Sequence, residues 1–229
     1  PGYGNGVAAG DIDNDGDLDV YVTNIGRDGL YLNTGGVFAR APAAAMPGGE
    51  TWSSSASFLD YDRDGDLDLF IANYGDTLGP RYDTIYRNDG NDTFVHYWTQ
   101  SGGATNSRGV TLIDYNEDGN MDVYVTRYRL EPNALWENNG AGGFTDVASA
   151  KNALGGNGHG IGSAVGDFDN DGHLDIFALY FSHPGNPGSQ LLRNTGPSGN
   201  YQFEVKSTWQ YGNPSWVEST ATAANGDVD

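Results

Sequence analysis

Residues 11–24 read DIDNDGDLDVYVTN, and the fold follows from how this stretch is read. Aspartates occupy its positions 1, 3, 5, 7 and 9 (Asp11, Asp13, Asp15, Asp17 and Asp19), and Gly16 stands at position 6. An apolar alternation from Leu18 to Thr23 follows at once. A period of two is the mark of a strand, so the stretch is an acidic loop feeding a β-strand. The pattern returns as DYDRDGDLDLFIAN from Asp60, DYNEDGNMDVYVTR from Asp114 and DFDNDGHLDIFALY from Asp167. A fifth copy opens with Asp227 and Asp229. The starts are 49, 54, 53 and 60 residues apart, and a period near 50 belongs to propeller blades and solenoids.

A second element keeps step. LYLNTG (30–35), IYRNDG (85–90), LWENNG (135–140) and LLRNTG (191–196) are short apolar runs ending in Asn and then Gly. Each is followed by a phenylalanine: Phe38, Phe94, Phe144 and Phe203. Each unit therefore reads as four strands. Strand A precedes the acidic loop, as in Gly6 to Ala9. Strand B is the alternation. Strand C ends in a hairpin turn at the Asn-Gly. Strand D carries the Phe. Four strands in about 50 residues make a propeller blade, so the expected fold is an all-β propeller. The expected blades are 1–48, 49–102, 103–156 and 157–213, with 214–229 opening a further one. The fifth motif breaks off after Asp229, so further blades are expected.

Composition agrees. The chain has 31 Asp and Glu against 11 Lys and Arg, a formal charge of −20, which disfavours nucleic acid as a partner. Its 14 Tyr, 9 Phe and 5 Trp exclude a disordered acidic chain, and its 35 Gly suit tight turns. There is no Cys for a disulfide framework and no apolar run of about 18 residues for a membrane span.

Four carboxylates within nine residues repel one another. Two unit charges about 4 Å apart cost ~4 kcal/mol at an effective dielectric near 20. A folded loop that gathers them needs a cation. The position-6 glycine permits the turn that aims positions 1, 3 and 5 at one centre. Position 7 offers its backbone carbonyl, and the Asp at position 9 closes the site. All-oxygen ligation suits Ca²⁺, about one per blade and four in all. Zinc would require Cys or His. An EF-hand would require flanking helices and a Glu at position 12, where Val22, Ile71, Val125 and Ala178 stand instead. The expected ligands are Asp11, Asp13, Asp15 and Asp19; Asp60, Asp62, Asp64 and Asp68; Asp114, Asn116, Asp118 and Asp122; and Asp167, Asp169, Asp171 and Asp175. Asp17, Asp66, Asn120 and His173 hold position 7, and Asp227 and Asp229 begin a fifth set. Asn116 leaves the third loop one carboxylate short, so that site is expected to empty first.

The DxDxDGxxD loop inside a β-hairpin resembles the FG-GAP or VCBS repeat of integrin α-subunit propellers and some fungal lectins. With LYxNxG and Phe following, it is more similar still to the ASPIC/UnbV and cartilage-acidic-protein group. The resemblance implies a propeller, commonly seven-bladed, with Ca²⁺ in the A–B loops. It also implies secretion or display at the cell surface.

By the same resemblance, ligands sit on the face opposite the metal loops, where the B–C loops and the segments leading into strand A converge. Arg27, Trp52, Arg81, Tyr82, Arg108, Arg127, Tyr128, Arg129, His159 and Trp216 are the candidates. An Arg- and aromatic-rich face on an acidic chain suits a glycan or a protein. A surface assembly built of further copies or blades is the alternative. No nucleophile elbow surrounds Ser53 to Ser55, and the four His are scattered, so no enzymatic activity is expected. Asn91-Asp92-Thr93 is a glycosylation sequon in an expected C–D turn.

Overall fold

A computed structural model describes residues 3–42, 45, 51–75, 81–90, 93–181 and 188–207. Trp216, Asp227, Asp229 and the sequon residue Asn91 lie outside the described residues. The chain divides into two compact halves, 1–107 and 108–229.

Among the described residues, sixteen strands form four antiparallel, four-stranded repeats. The first holds β1 (Tyr3–Gly10), β2 (Asp19–Gly26), β3 (Gly29–Thr34) and β4 (Val37–Arg40). The second holds β5 (Thr51–Leu59), β6 (Asp68–Asn73), β7 (Thr84–Asn88) and β8 (Phe94–Thr99). The third holds β9 (Ser107–Ile113), β10 (Asp122–Arg127), β11 (Ala134–Asn138) and β12 (Phe144–Asp146). The fourth holds β13 (Gly160–Gly166), β14 (Asp175–Tyr180), β15 (Gln190–Asn194) and β16 (Phe203–Ser207). Strands pair in chain order within each repeat, as in Val123↔Trp136 and Trp136↔Asp146. In the first half, β2 also pairs with β5 at Ile25↔Trp52. A 3-10 turn at Pro197–Gly199 is the one helical element among the described residues.

The apolar core lies between repeats rather than within one. In the first half, Ala8, Ile12, Tyr21 and Leu30 of the first repeat pack with Ala56, Phe58, Leu69, Ile71 and Phe94 of the second. In the second half, Ile113, Tyr115, Tyr124 and Leu135 pack with Val165, Ile176, Tyr180, Leu192 and Phe203. Strands β6 and β10 are buried at every position. The period-two pattern of a half-buried strand is weakest there, as DLFIAN shows. Burying each large core side chain is worth about 1.5–3 kcal/mol.

The strand-D phenylalanines do not share one environment. Phe94, Phe144 and Phe203 are buried, whereas Phe38 is 54% exposed. Phe94 and Phe203 each complete a core shared with the preceding repeat, and no repeat precedes Phe38 in the described chain.

Polar latches join neighbouring repeats at both strand ends. At the acidic-loop end, Asn88 Nδ2 donates to the Ile12 carbonyl across 76 residues at 2.8 Å. Asn194 Nδ2 donates to the Tyr115 carbonyl at 2.8 Å in the same way. The strand-C asparagine is thus more than a turn former. Its Oδ1 makes the turn by accepting the amide of Gly90 or Gly196, while its amide group holds the neighbouring repeat. Both residues are fully buried, so deleting the side chain would strand an acceptor at a cost of about 1–3 kcal/mol. At the other end, Ser53 Oγ donates to Asp28 Oδ2 at 2.7 Å, and Asn133 Nδ2 donates to Tyr180 Oη at 2.7 Å.

Candidate metal centres

Each acidic loop is held by its own carboxylates. Position 6 adopts the left-handed conformation that favours glycine, at φ +93° in Gly16, +94° in Gly65, +79° in Gly119 and +91° in Gly172. The position-1 carboxylate accepts the amide there: Asp11 from Gly16 at 3.0 Å, Asp60 from Gly65 at 3.2 Å, Asp114 from Gly119 at 2.9 Å and Asp167 from Gly172 at 2.9 Å. Asp15, Asp64, Asp118 and Asp171 at position 5 accept the position-7 amide at 2.7–3.0 Å. These bonds wrap the backbone around the acids.

Position 9 has a second task. Asp19, Asp68, Asp122 and Asp175 are fully buried at the start of strand B. One oxygen of each accepts the position-2 amide, from Ile12, Tyr61, Tyr115 or Phe168 at 3.0–3.4 Å. The other accepts the strand-C amide of Asn33, Asn88, Asn138 or Asn194 at 2.7–2.9 Å. One carboxylate therefore ties loop, strand B and strand C together. Burial pushes Asp68 up to about 7, Asp122 to about 8 and Asp175 to about 6. The backbone amides oppose that rise, and the neighbouring loop acids add to it.

The remaining oxygens converge. Asp11, Asp13 and Asp15 bring carboxylate oxygens within 4.8 Å of one another, as do Asp60, Asp62 and Asp68, and Asp167, Asp169 and Asp175. The third loop, with Asn116 at position 3, forms no such three-acid group among the described residues. Asn116 Nδ2 instead donates to Asp118 Oδ2 at 3.1 Å. In the second loop, Asp60 Oδ1 and Asp62 Oδ1 are buried and lack any hydrogen-bond partner. Orphaned carboxylate oxygens are costly, and a hard divalent cation bound among them would satisfy both. The donor set fits such a cation and not zinc.

The position-7 side chains do not turn into these clusters. Asp17 Oδ2 accepts the Gly35 amide at 2.6 Å, Asp66 Oδ1 accepts from Asn14 at 3.0 Å, and His173 pairs with Glu117. They pack on the C–D turn instead. A Cβ at Gly90 would meet Asp66 at 2.9 Å and one at Gly140 would meet Asn120 at 2.8 Å, which explains the turn glycine.

An FG-GAP-like repeat model matches residues 11–71, 60–125 and 114–178, well over half of the chain. The chain belongs to the FG-GAP-like repeat family. Over 121 residues, half of its length, it is 31% identical to mouse cartilage acidic protein 1 and 30% identical to the human protein. The match spans 18% of each of those proteins, so the chain corresponds to a small part of them. An Agrocybe aegerita lectin superposes with a TM-score of 0.53 at 20% identity, over 86% of this chain and 51% of the lectin. An exo-β-1,3-galactanase from Phanerochaete chrysosporium gives 0.56 at 6% identity, over 88% and 49%. At these identities the likeness is one of fold.

At the far strand ends of the FG-GAP-like repeats, the expected ligand residues fall into groups. In the first half, Arg27 and Tyr82 are exposed and Arg81 is half-buried. The Trp52 ring lies 4.8 Å from that of Tyr74. In the second half, the Arg108 guanidinium lies 5.2 Å over the Tyr128 ring, and the Tyr128 and His159 rings are 4.4 Å apart. Arg129 is exposed. Arg127 departs from expectation. As the last residue of the fully buried β10 it is only 7% exposed, with its guanidinium 6.0 Å over Trp136.

Asp28, Asp83 and Asn133 were not separable from loop residues in sequence. Each is buried and accepts the backbone amide at the end of strand B, from Asn24, Asn73 or Arg127 at 2.7–3.0 Å. They follow those residues by 4, 10 and 6 positions, and this unequal spacing hides the pattern.

Proposed function

We infer that the chain is part of a calcium-stabilised, extracellular β-propeller that binds a glycan and carries out no catalysis. The repeats are its blades, and the acidic loops hold Ca²⁺ at one end of each. The Arg108–Tyr128–His159 stack carries the binding assignment. It joins flat aromatic faces, on which sugar rings stack, to an arginine donor, and it lies at the strand end away from the Asp loops. Two structural neighbours support the sugar assignment. The lectin recognises non-reducing terminal N-acetylglucosamine, and the galactanase was solved with β-1,3-galactotriose. The kinship with cartilage acidic protein 1 supports an extracellular setting. A glycan array on the calcium-loaded chain tests the reading. Tyr128→Ala and Arg108→Ala should each weaken the strongest hit by about tenfold, a loss of ~1.4 kcal/mol. Undiminished binding by both variants would place the ligand elsewhere.

A second reading, an element of a larger surface assembly, has its own observation. Val7, Leu18, Val37 and Phe38 of the first repeat are 54–71% exposed, and Asn33 Oδ1 is buried without a partner. Exposed apolar faces of this kind mark interaction surfaces. Under this reading the chain self-associates in sedimentation experiments, and Phe38→Asp returns it to a monomer. A wild-type chain that stays monomeric at every concentration removes the second reading.

A further inference from the structure

We propose that Arg193 is a built-in counter-cation of the fourth loop and makes that loop the last of the four to take up calcium. The proposal rests on the calcium reading above. The residue just before the strand-C asparagine is Leu32, Arg87, Glu137 and Arg193 in the four repeats. In the fourth, Arg193 Nε pairs with Asp169 Oδ2, and its NH2 group lies 2.6 Å from Asp171 Oδ2. Asp169 and Asp171 are positions 3 and 5 of the loop, and Asp169 belongs to its converging acid group. The matching arginine of the second repeat behaves otherwise. Arg87 Nε turns away to Asp89 at 2.7 Å, and the Asp60 and Asp62 oxygens in that loop are left unsatisfied. The same sequence position therefore sets its guanidinium on Asp89 in one repeat and on two loop carboxylates in the other.

Two physical effects act together. The guanidinium spans two carboxylates with one charge-assisted contact to each, and these contacts occupy lone pairs that calcium would use. A unit positive charge also stands where a doubly charged ion must arrive. Counting carboxylates at positions 1, 3, 5 and 9 ranks the third loop weakest, with three against four. Adding Arg193 brings the fourth loop down to the same net charge, and there the compensating charge sits on the carboxylates of positions 3 and 5 themselves. The guanidinium has a place to go when calcium enters. Its NH1 group is 3.8 Å from Glu204 Oε2, and its side chain is 31% exposed. Filling the loop then means handing Arg193 from Asp169 and Asp171 to Glu204 and water.

Calorimetric titration of the chelator-treated chain with Ca²⁺ tests this, comparing wild type, Arg193→Gln and Arg87→Gln. Arg193→Gln should tighten the weakest wild-type site by about tenfold and leave the others alone, whereas Arg87→Gln should leave the weakest site as it is. A second readout needs no substitution in the measured protein. The arginine Nε–H resonance of Arg193, assigned with Arg193→Lys, should shift with the last equivalent of Ca²⁺. An Arg193→Gln isotherm superimposable on wild type, or an Arg193 resonance that moves with the first equivalent, overturns the proposal. Four sites of equal affinity overturn it while leaving calcium binding intact. No calcium uptake by either protein overturns both.

Discussion

Stripping divalent cations from the chain should lower its melting temperature by on the order of 10 °C. Each site binds only the folded state and adds RT ln(1 + [L]/Kd) to stability. Extracellular-type sites have Kd values of about 10⁻⁴–10⁻³ M, so ~1 mM Ca²⁺ contributes ~0.4–1.4 kcal/mol per loop. Four loops add roughly 2–6 kcal/mol, and a chain of this size shifts by about 2–4 °C per kcal/mol. The orphaned oxygens of Asp60 and Asp62, and the buried position-9 carboxylates, show where the cost of an empty loop falls. Calcium should restore the transition and magnesium should do so poorly. Magnesium demands rigid octahedral geometry and sheds water reluctantly. A calorimetric scan in chelator, with metal loss verified by elemental analysis, decides the matter. An unchanged transition would mean that the loops stand on hydrogen bonds alone.

Two substitutions in the second loop should separate ligation from architecture. Asp68→Ala removes the acceptor of the Tyr61 amide at 3.2 Å and of the Asn88 amide at 2.9 Å. Both amides lie at buried residues, so the loss should already be about 3–5 kcal/mol in chelator, and larger in calcium, where Asp68 is also lost from the acid group of its loop. Asp62→Asn is different. Its Oδ1 has no hydrogen-bond partner to lose, and burial, followed by the nearby charges of Asp64 and Asp60, already disfavours its ionised form against a backbone hydrogen bond from Asp64. The substitution should therefore destabilise the chain in calcium, by up to ~1.4 kcal/mol for a lost site, and be neutral or slightly stabilising in chelator. Urea melts of both variants in the two conditions give the four numbers required. An Asp62→Asn penalty of equal size in calcium and in chelator would show that this carboxylate holds structure rather than a cation.

The sequence by itself was enough for everything that repeats locally. The acidic loop is nine residues long, and its glycine, its alternation of acids and the strand that follows are all neighbours in the chain. Four copies of a local pattern leave little freedom, and the structure has four repeats of four antiparallel strands in the expected order. Position 9 was legible as a candidate ligand. Its role as the tie between loop and strand C was not, because Asn33 lies 14 residues from Asp19, and Asn88 lies 20 from Asp68.

What only the tertiary structure decided concerns residues whose partners are distant in sequence. Asn88 looks like a turn residue until the Ile12 carbonyl, 76 positions away, is beside it. Arg127 reads as an exposed loop cation until the burial of β10 on both faces takes it inside. His173 and Asp66 read as loop side chains until they pack on the glycine of a neighbouring turn. Arg87 and Arg193 are the same residue at the same motif position, yet one faces Asp89 and the other faces Asp169 and Asp171. The physical reason is common to all of them. Backbone periodicity and turn geometry are set by contacts between chain neighbours, which a linear pattern records. The burial of a polar group and the identity of its partner depend on which sheets stack, and no periodicity in the chain encodes that.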